Sequence, residues 1–130
     1  MILVDTHVVL WLAFEPEKLS GNARRGIDEA RQTGAGLAVS SISLLELAVL
    51  ASKGRFQTHV DLDAFLESVE TKFTVLPITG RACSRTLTLP KDYPKDPADR
   101  IIGATAMVEE IPLVTADRDI LRSTAIRTIW

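Results

Sequence analysis

Ile2-Leu3-Val4-Asp5-Thr6-His7-Val8-Val9-Leu10-Trp11-Leu12-Ala13-Phe14, residues 2–14, opens with a short unbroken apolar run, passes one aspartate, and continues into a stretch of helix length. The first run reads as a β-strand covered on both faces, since a half-exposed strand would alternate apolar and polar side chains. The second reads as a helix over 6–14, apolar all round, which is expected to be buried, part of that burial lying at an interface. Outward from here the same unit recurs. Short apolar runs at 37–39, 74–76, 112–115 and 126–130 read as further strands. Helical stretches at 20–33, 43–53, 62–72, 80–87, 97–110 and 117–122 lie between and beside them. Such alternation predicts an α/β domain spanning 1–130: a three-layer α/β/α sandwich with a mainly parallel central sheet. Strand order is not readable at this level.

Composition agrees. Apolar residues make up 46% of the 130 and charged residues 25%, an ordinary globular balance able to bury a core. Met1 leads straight into the first strand, and no apolar run reaches the roughly 18 residues that cross a bilayer. A cytoplasmic protein with no membrane partner is therefore expected. The single cysteine, Cys83, excludes an internal disulfide and is expected to be a half-buried, inert thiol. A net charge of −2 argues against a broad basic surface for nucleic acid, because phosphate neutralisation provides most non-specific affinity. It leaves room for a site whose bound metal supplies positive charge locally.

Four acids stand out. Glu46 lies in Ile42-Ser43-Leu44-Leu45-Glu46-Leu47-Ala48-Val49-Leu50, a helix apolar on nearly every face, so no solvated stripe is open to it. Its ordinary structural explanation is a core arginine partner or a place at the rim of the apolar face. Asp5 follows a strand and could simply cap the next helix. In Asp96-Pro97-Ala98-Asp99-Arg100, Asp96 fits the cap and Pro97 the first helical position. Asp99 then stands on the first turn of a buried helix continuing through Ile101-Ile102-Gly103-Ala104-Thr105-Ala106. Asp117 follows the fourth strand in Thr115-Ala116-Asp117-Arg118-Asp119, where one acid can cap and Asp119 is left to solvent. Each acid alone has a structural explanation. A parallel sheet, however, could bring all four to its carboxyl edge, where ligands bind. Converging like charges cost about a few kcal/mol each, so at least one carboxylate is expected to hold its proton tightly, and a bound cation is expected to relieve the rest. An all-oxygen donor set selects Mg²⁺ or Mn²⁺.

These residues resemble the PIN-domain family, and within it the VapC-type toxins of toxin–antitoxin pairs. The likeness is carried over nearly the whole chain by Leu3-Val4-Asp5-Thr6-His7, by Ser40 to Leu47, by Asp96 to Ala106, and by Leu113-Val114-Thr115-Ala116-Asp117. It implies a Mg²⁺- or Mn²⁺-dependent endoribonuclease in which Asp5, Glu46, Asp99 and Asp117 serve as catalytic, metal-holding acids. Asp5 and Asp99 would be direct ligands, Glu46 a ligand directly or through water, and Thr115 a polar support. Metal-activated water would hydrolyse an RNA phosphodiester, leaving 5′-phosphate and 3′-hydroxyl ends. The likeness also implies a cognate antitoxin and a homodimer. Where the family commonly has asparagine this chain has His7, as in one sub-branch that also shows the Asp-Pro-x-Asp-Arg pattern. A lone histidine beside Asp5 is more simply a packing or hydrogen-bonding residue. Rival classes fit less well. An aspartyl phosphotransferase needs a second acid where His7 stands, and a phosphate-receiver module needs an acceptor after a middle strand. A catalytically inactive PIN-like binding module is the remaining alternative, and the presence of all four acids speaks against it.

Overall fold

The computed structural model describes residues 1–57 and 60–130. In chain order come β1 (Ile2–Val4), α1 (Thr6–Phe14), a 3-10 turn (Pro16–Lys18), α2 (Gly21–Gln32), β2 (Leu37–Ser40) and α3 (Ser41–Ser52). Then follow α4 (Leu62–Lys72), β3 (Thr74–Leu76), α5 (Gly80–Thr86), α6 (Pro97–Glu109), β4 (Leu113–Val114), α7 (Arg118–Arg122) and β5 (Thr128–Ile129). Boundaries differ from the sequence expectation by one or two residues, as element ends do. α3 starts at Ser41 because the Ser40 hydroxyl accepts the Ile42 N–H and so caps it there.

The sheet has the order β3-β2-β1-β4-β5, and every pairing is parallel. From β1 the chain steps outward to β2 and β3, then returns to the other side of β1 to lay down β4 and β5. The direction of winding therefore reverses between β1 and β4. In parallel sheets the crevice at the carboxyl ends of such a strand pair is where ligands bind.

Strand alternation divides the core in two. Ile2, Val4, Leu37, Val39 and Val114 face Val8, Val9, Ala23, Ile27, Phe65 and Val69, contributed by α1, α2 and α4. Leu3, Ala38 and Leu113 face Tyr93, Ile102, Ala106 and Ile120 on the opposite side. Leu3, Val4, Ala38, Val39, Leu113 and Val114 are all 0% exposed, which explains why the strands carry no polar alternation. The three-layer α/β/α arrangement is the expected one.

α1 buries Thr6, Val8 and Val9, with Leu10, Trp11 and Leu12 partly buried and Phe14 38% exposed, so part of its apolar surface is left for the interface expected of it. Two local expectations are corrected. On α3, Leu45 is 59% and Val49 40% exposed, so this helix keeps an apolar face toward solvent. Hydrophobicity on every face reports what a helix could bury, not what covers it. Cys83 is exposed, not half-buried, because α5 turns Ala82 inward and leaves the thiol on its outer side.

Packing at β1 sets the stability of the sheet. Leu3→Ala should cost about 2–5 kcal/mol by leaving a cavity in the central strand, while Leu87→Ala, at a position 88% exposed, should stay within about 0.5 kcal/mol. Urea denaturation of both variants checks the contrast.

Candidate active site

The three adjacent strands β2, β1 and β4 end side by side, and each hands its chain to a helix bearing one of the predicted acids. Asp5 caps α1 and is 3% exposed. Its Oδ1 accepts the Thr6 N–H at 2.8 Å, and its Oδ2 accepts the Thr115 hydroxyl at 2.8 Å. Thr115, 0% exposed, in turn accepts the Asp117 N–H at 3.1 Å. The Asp117 Oδ1 accepts the N–H groups of Asp119 and Ile120 at 2.9 and 3.3 Å, capping α7. Asp5, Thr115 and Asp117 thus form one hydrogen-bonded chain across β1 and β4. For Asp5 and Asp117 the capping explanation and the clustering explanation both hold. Asp119 is exposed and pairs with Arg122, as expected of the acid left to solvent.

His7 spans the same gap. Its Nε2 accepts the Ala116 N–H at 3.0 Å, and its Nδ1 lies 3.7 Å from the Asp5 Oδ2. Accepting at Nε2 places the ring proton on Nδ1, directed at Asp5. With its Nε2 lone pair used by the Ala116 N–H, His7 ties the start of α1 to the segment after β4 and stands beside Asp5 without a hydrogen bond to it.

Glu46 comes from α3. Its Oε1 accepts the Thr6 hydroxyl at 2.6 Å, and the same hydroxyl lies 2.9 Å from Ser43 Oγ. Thr6 has one proton to give, and it goes to the carboxylate, leaving Ser43 to donate back. Among the described residues Glu46 has no cationic partner, so the buried-arginine explanation fails and the rim position holds. α6 supplies the fourth acid. Asp96 caps it through the Ala98 and Asp99 N–H groups at 2.8 and 3.4 Å and is exposed. Asp99, half-buried on the first turn, accepts no hydrogen bond at its carboxylate among the described residues. Arg100 does not neutralise it. Its guanidinium donates to the carbonyls of Thr86, Pro90 and Tyr93 at 3.1, 3.5 and 3.3 Å, fastening the α5–α6 connection to α6.

The electrostatics follow from this placement. Burial pushes the Asp99 carboxyl up from 3.8 to about 7, and Asp5, Asp96, Glu46 and Asp117 push it the same way. Burial also raises Glu46, the Thr6 hydrogen bond opposes this, and Asp5 and Asp96 add to the rise. The carboxylates interact through their fields. Among the described residues, no three His, Cys, Asp or Glu side chains are already gathered around one ion position. The donor set nonetheless suits a hard divalent cation: oxygens only, net negative, and raised in proton affinity by one another.

Three contributors were missed from sequence. Thr6 and Ser43, 5% and 0% exposed, are the hydroxyls that orient Glu46. Tyr93 is 1% exposed beneath α6. Burial drives its hydroxyl far above the ordinary phenol range, and the charges of Asp5, Asp99 and Asp117 do the same. The available signal was a glycine in an otherwise helix-forming run: a Cβ on Gly103 would stand 2.2 Å from the Tyr93 hydroxyl oxygen.

Since the folded-state Asp99 value lies above its unfolded one, its contribution to stability is full below about pH 4 and is lost as pH rises through about 7. With solvent screening of this half-buried group, metal-free protein should therefore lose roughly 1–2 kcal/mol between about pH 5 and pH 8, and Asp99→Asn should flatten that slope. Denaturant melts in chelator across this range measure it.

The PIN domain family model matches residues 2–126. Ribonuclease VapC22 of Mycobacterium tuberculosis is 38% identical over 117 residues, covering 90% of this chain and 87% of that protein. Among solved structures, the fold is shared with a chain of VapBC2 from Rickettsia felis bound to a promoter DNA fragment. That match has a TM-score of 0.74 at 16% identity over 98% of this chain and 97% of the other. A toxin–antitoxin complex from Klebsiella pneumoniae matches with a TM-score of 0.63 at 23% identity over 97% and 95%. With the acids on one sheet edge and a family match over nearly its full length, the chain belongs to the PIN-domain family.

Proposed function

We propose that this protein is a Mg²⁺- or Mn²⁺-dependent endoribonuclease, the toxin of a toxin–antitoxin pair, working in the cytoplasm as one nuclease domain over 1–130. The observation that carries the reading is Asp99. Its carboxylate has no hydrogen-bond partner among the described residues and is raised to about 7 by burial and by four neighbouring carboxylates. Such a group in a cleft marks a functional site, and a cation among these carboxylates would relieve the repulsion that raises it. Kinship with Ribonuclease VapC22 supports RNA as the substrate, and the VapBC and toxin–antitoxin structures support an antitoxin partner. Leu45 and Val49, one turn apart on α3, offer an exposed apolar face for a homodimer contact. Among the described residues no helix is long and apolar enough to cross a membrane.

Asp5, Asp99, Glu46 and Asp117 would hold the cation. When bound, it supplies Lewis acidity toward water and the phosphoryl oxygens. The residues do the rest. Thr115 and the Thr6 N–H hold Asp5 in a fixed orientation through its two oxygens. Thr6 holds one Glu46 oxygen at 2.6 Å, leaving the other free to orient the attacking water and accept its proton. Water oxygen bonds to phosphorus, the bond to the 3′-oxygen breaks, and that oxygen takes up a proton, giving 5′-phosphate and 3′-hydroxyl ends. A groove of about 550 Å³ begins at His7 and is lined by Trp11, Phe14, Lys18, Arg55 and Phe56. Aromatic faces beside cations suit a single RNA strand.

The test is RNA cleavage by the purified protein with Mn²⁺ and with chelator. Cleavage should require the cation, and Asp99→Asn should lower it by about a hundredfold or more with the fold intact. Asp96→Ala should keep near-normal cleavage and lose about 1 kcal/mol of stability as a helix cap. Chelator-resistant cleavage, or full activity in Asp99→Asn, would refute the proposal.

A further inference from the structure

The α5–α6 connection reads Thr88-Leu89-Pro90-Lys91-Asp92-Tyr93-Pro94-Lys95, a polar, proline-rich loop that should lie on the surface. Tyr93 does not. It is 1% exposed, and it belongs to the buried cluster that Leu3, Ala38, Ile102 and Leu113 form on one face of the three central strands. From there its hydroxyl reaches α6 and lies 3.4 Å from the main-chain oxygen of Asp99. It gets there through a gap in the helix surface. A Cβ at Gly103 would stand 2.2 Å from the hydroxyl oxygen and 2.8 Å from the ring carbon bearing it. Glycine in a helix interior costs about 1 kcal/mol relative to alanine, so its presence here calls for a packing reason. Arg100 ties the same loop to α6 by donating to the Tyr93 carbonyl at 3.3 Å.

We propose that Tyr93 is a positioning residue for the acid cluster, its hydroxyl lodged through the Gly103 gap against the first turn of α6 and fixing where the Asp99 carboxylate stands. Asp99 has no side-chain hydrogen bond of its own among the described residues, so its place is set by its backbone. The helical N–H of Gly103 bonds the same Asp99 carbonyl, and the tyrosine hydroxyl adds a second donor. The inference rests on the metal-dependent reading above, in which Asp99 is a ligand.

Tyr93→Phe keeps the ring and removes only the donor. In calorimetric titration the variant should bind Mn²⁺ about 10–100-fold more weakly than wild type, the range for losing a group that orients a ligand. In metal-free protein its Gly103 amide should exchange with solvent several-fold faster. Gly103→Ala should weaken Mn²⁺ binding in wild type and do so less in the Tyr93→Phe background, because the closest clash has gone. Unchanged Mn²⁺ affinity in Tyr93→Phe, even with a lowered melting point, would reduce Tyr93 to a packing residue and overturn the proposal. If wild type bound no Mn²⁺ at all, the nuclease reading would fail instead, and amide exchange alone would decide whether the hydroxyl holds the turn.

Discussion

Burial of carboxylates at one edge of a parallel sheet, where each also feels its neighbours' charge, is the constraint around which this molecule is arranged. The order β2-β1-β4 sets three strand ends side by side, and the helices leaving them carry Asp5, Glu46 and Asp117. α6 brings Asp99 to the same edge. Among the described residues no lysine or arginine pairs with these acids: Arg100 is committed to backbone carbonyls, and the ion pairs of Lys18 and Arg122 involve Glu15 and Asp119. Water is largely kept from Asp5, and burial is the first cause of the raised proton affinity of both Asp99 and Glu46. Such an arrangement opposes folding, and it persists because neutral donors pin it. Thr115 and Thr6 hold two carboxylates without removing their charge.

This division of labour explains why capping and clustering are the same feature seen at two scales. An aspartate that ends a buried strand and caps the next helix is fixed by backbone N–H on one oxygen, and its second oxygen can take a further partner, as Asp5 Oδ2 takes the Thr115 hydroxyl. Asp5 and Asp117 both use one oxygen in this way, and Thr115 links them. Asp96 uses the capping geometry alone and remains on the outside of α6. The separation of Asp96 from Asp99 is therefore one of depth along a single helical turn.

Much of this was legible in the sequence. Unbroken apolar strands specified a sheet covered on both faces, and their alternation with helices specified parallel pairing. The acids could be picked out because each follows a strand or sits on an apolar helix. Other features depend on contacts that no local pattern encodes. Strand order is one, since parallel crossovers leave no turn signature. The exposed apolar face of α3 is another, because Leu45 and Val49 are indistinguishable in sequence from the buried Leu47. Tyr93 sits in a loop whose composition points to solvent, and its burial depends on Gly103, ten residues away. Thr6 and Ser43 are common residues whose importance appears only when α1 and α3 meet.

The central claim is that the folded protein holds its acids together at a cost which a divalent cation removes. Glu46→Gln tests it most directly, because the amide oxygen can still accept the Thr6 hydroxyl while the charge is gone. Denaturation midpoints of wild type and variant are compared in chelator and in Mg²⁺. The account predicts that Mg²⁺ raises the wild-type midpoint and barely moves the variant's, and that in chelator the variant is at least as stable as wild type. A variant strongly destabilised in chelator, beside a wild type indifferent to Mg²⁺, would mean that Glu46 supports the fold and not a metal, and would contradict the account.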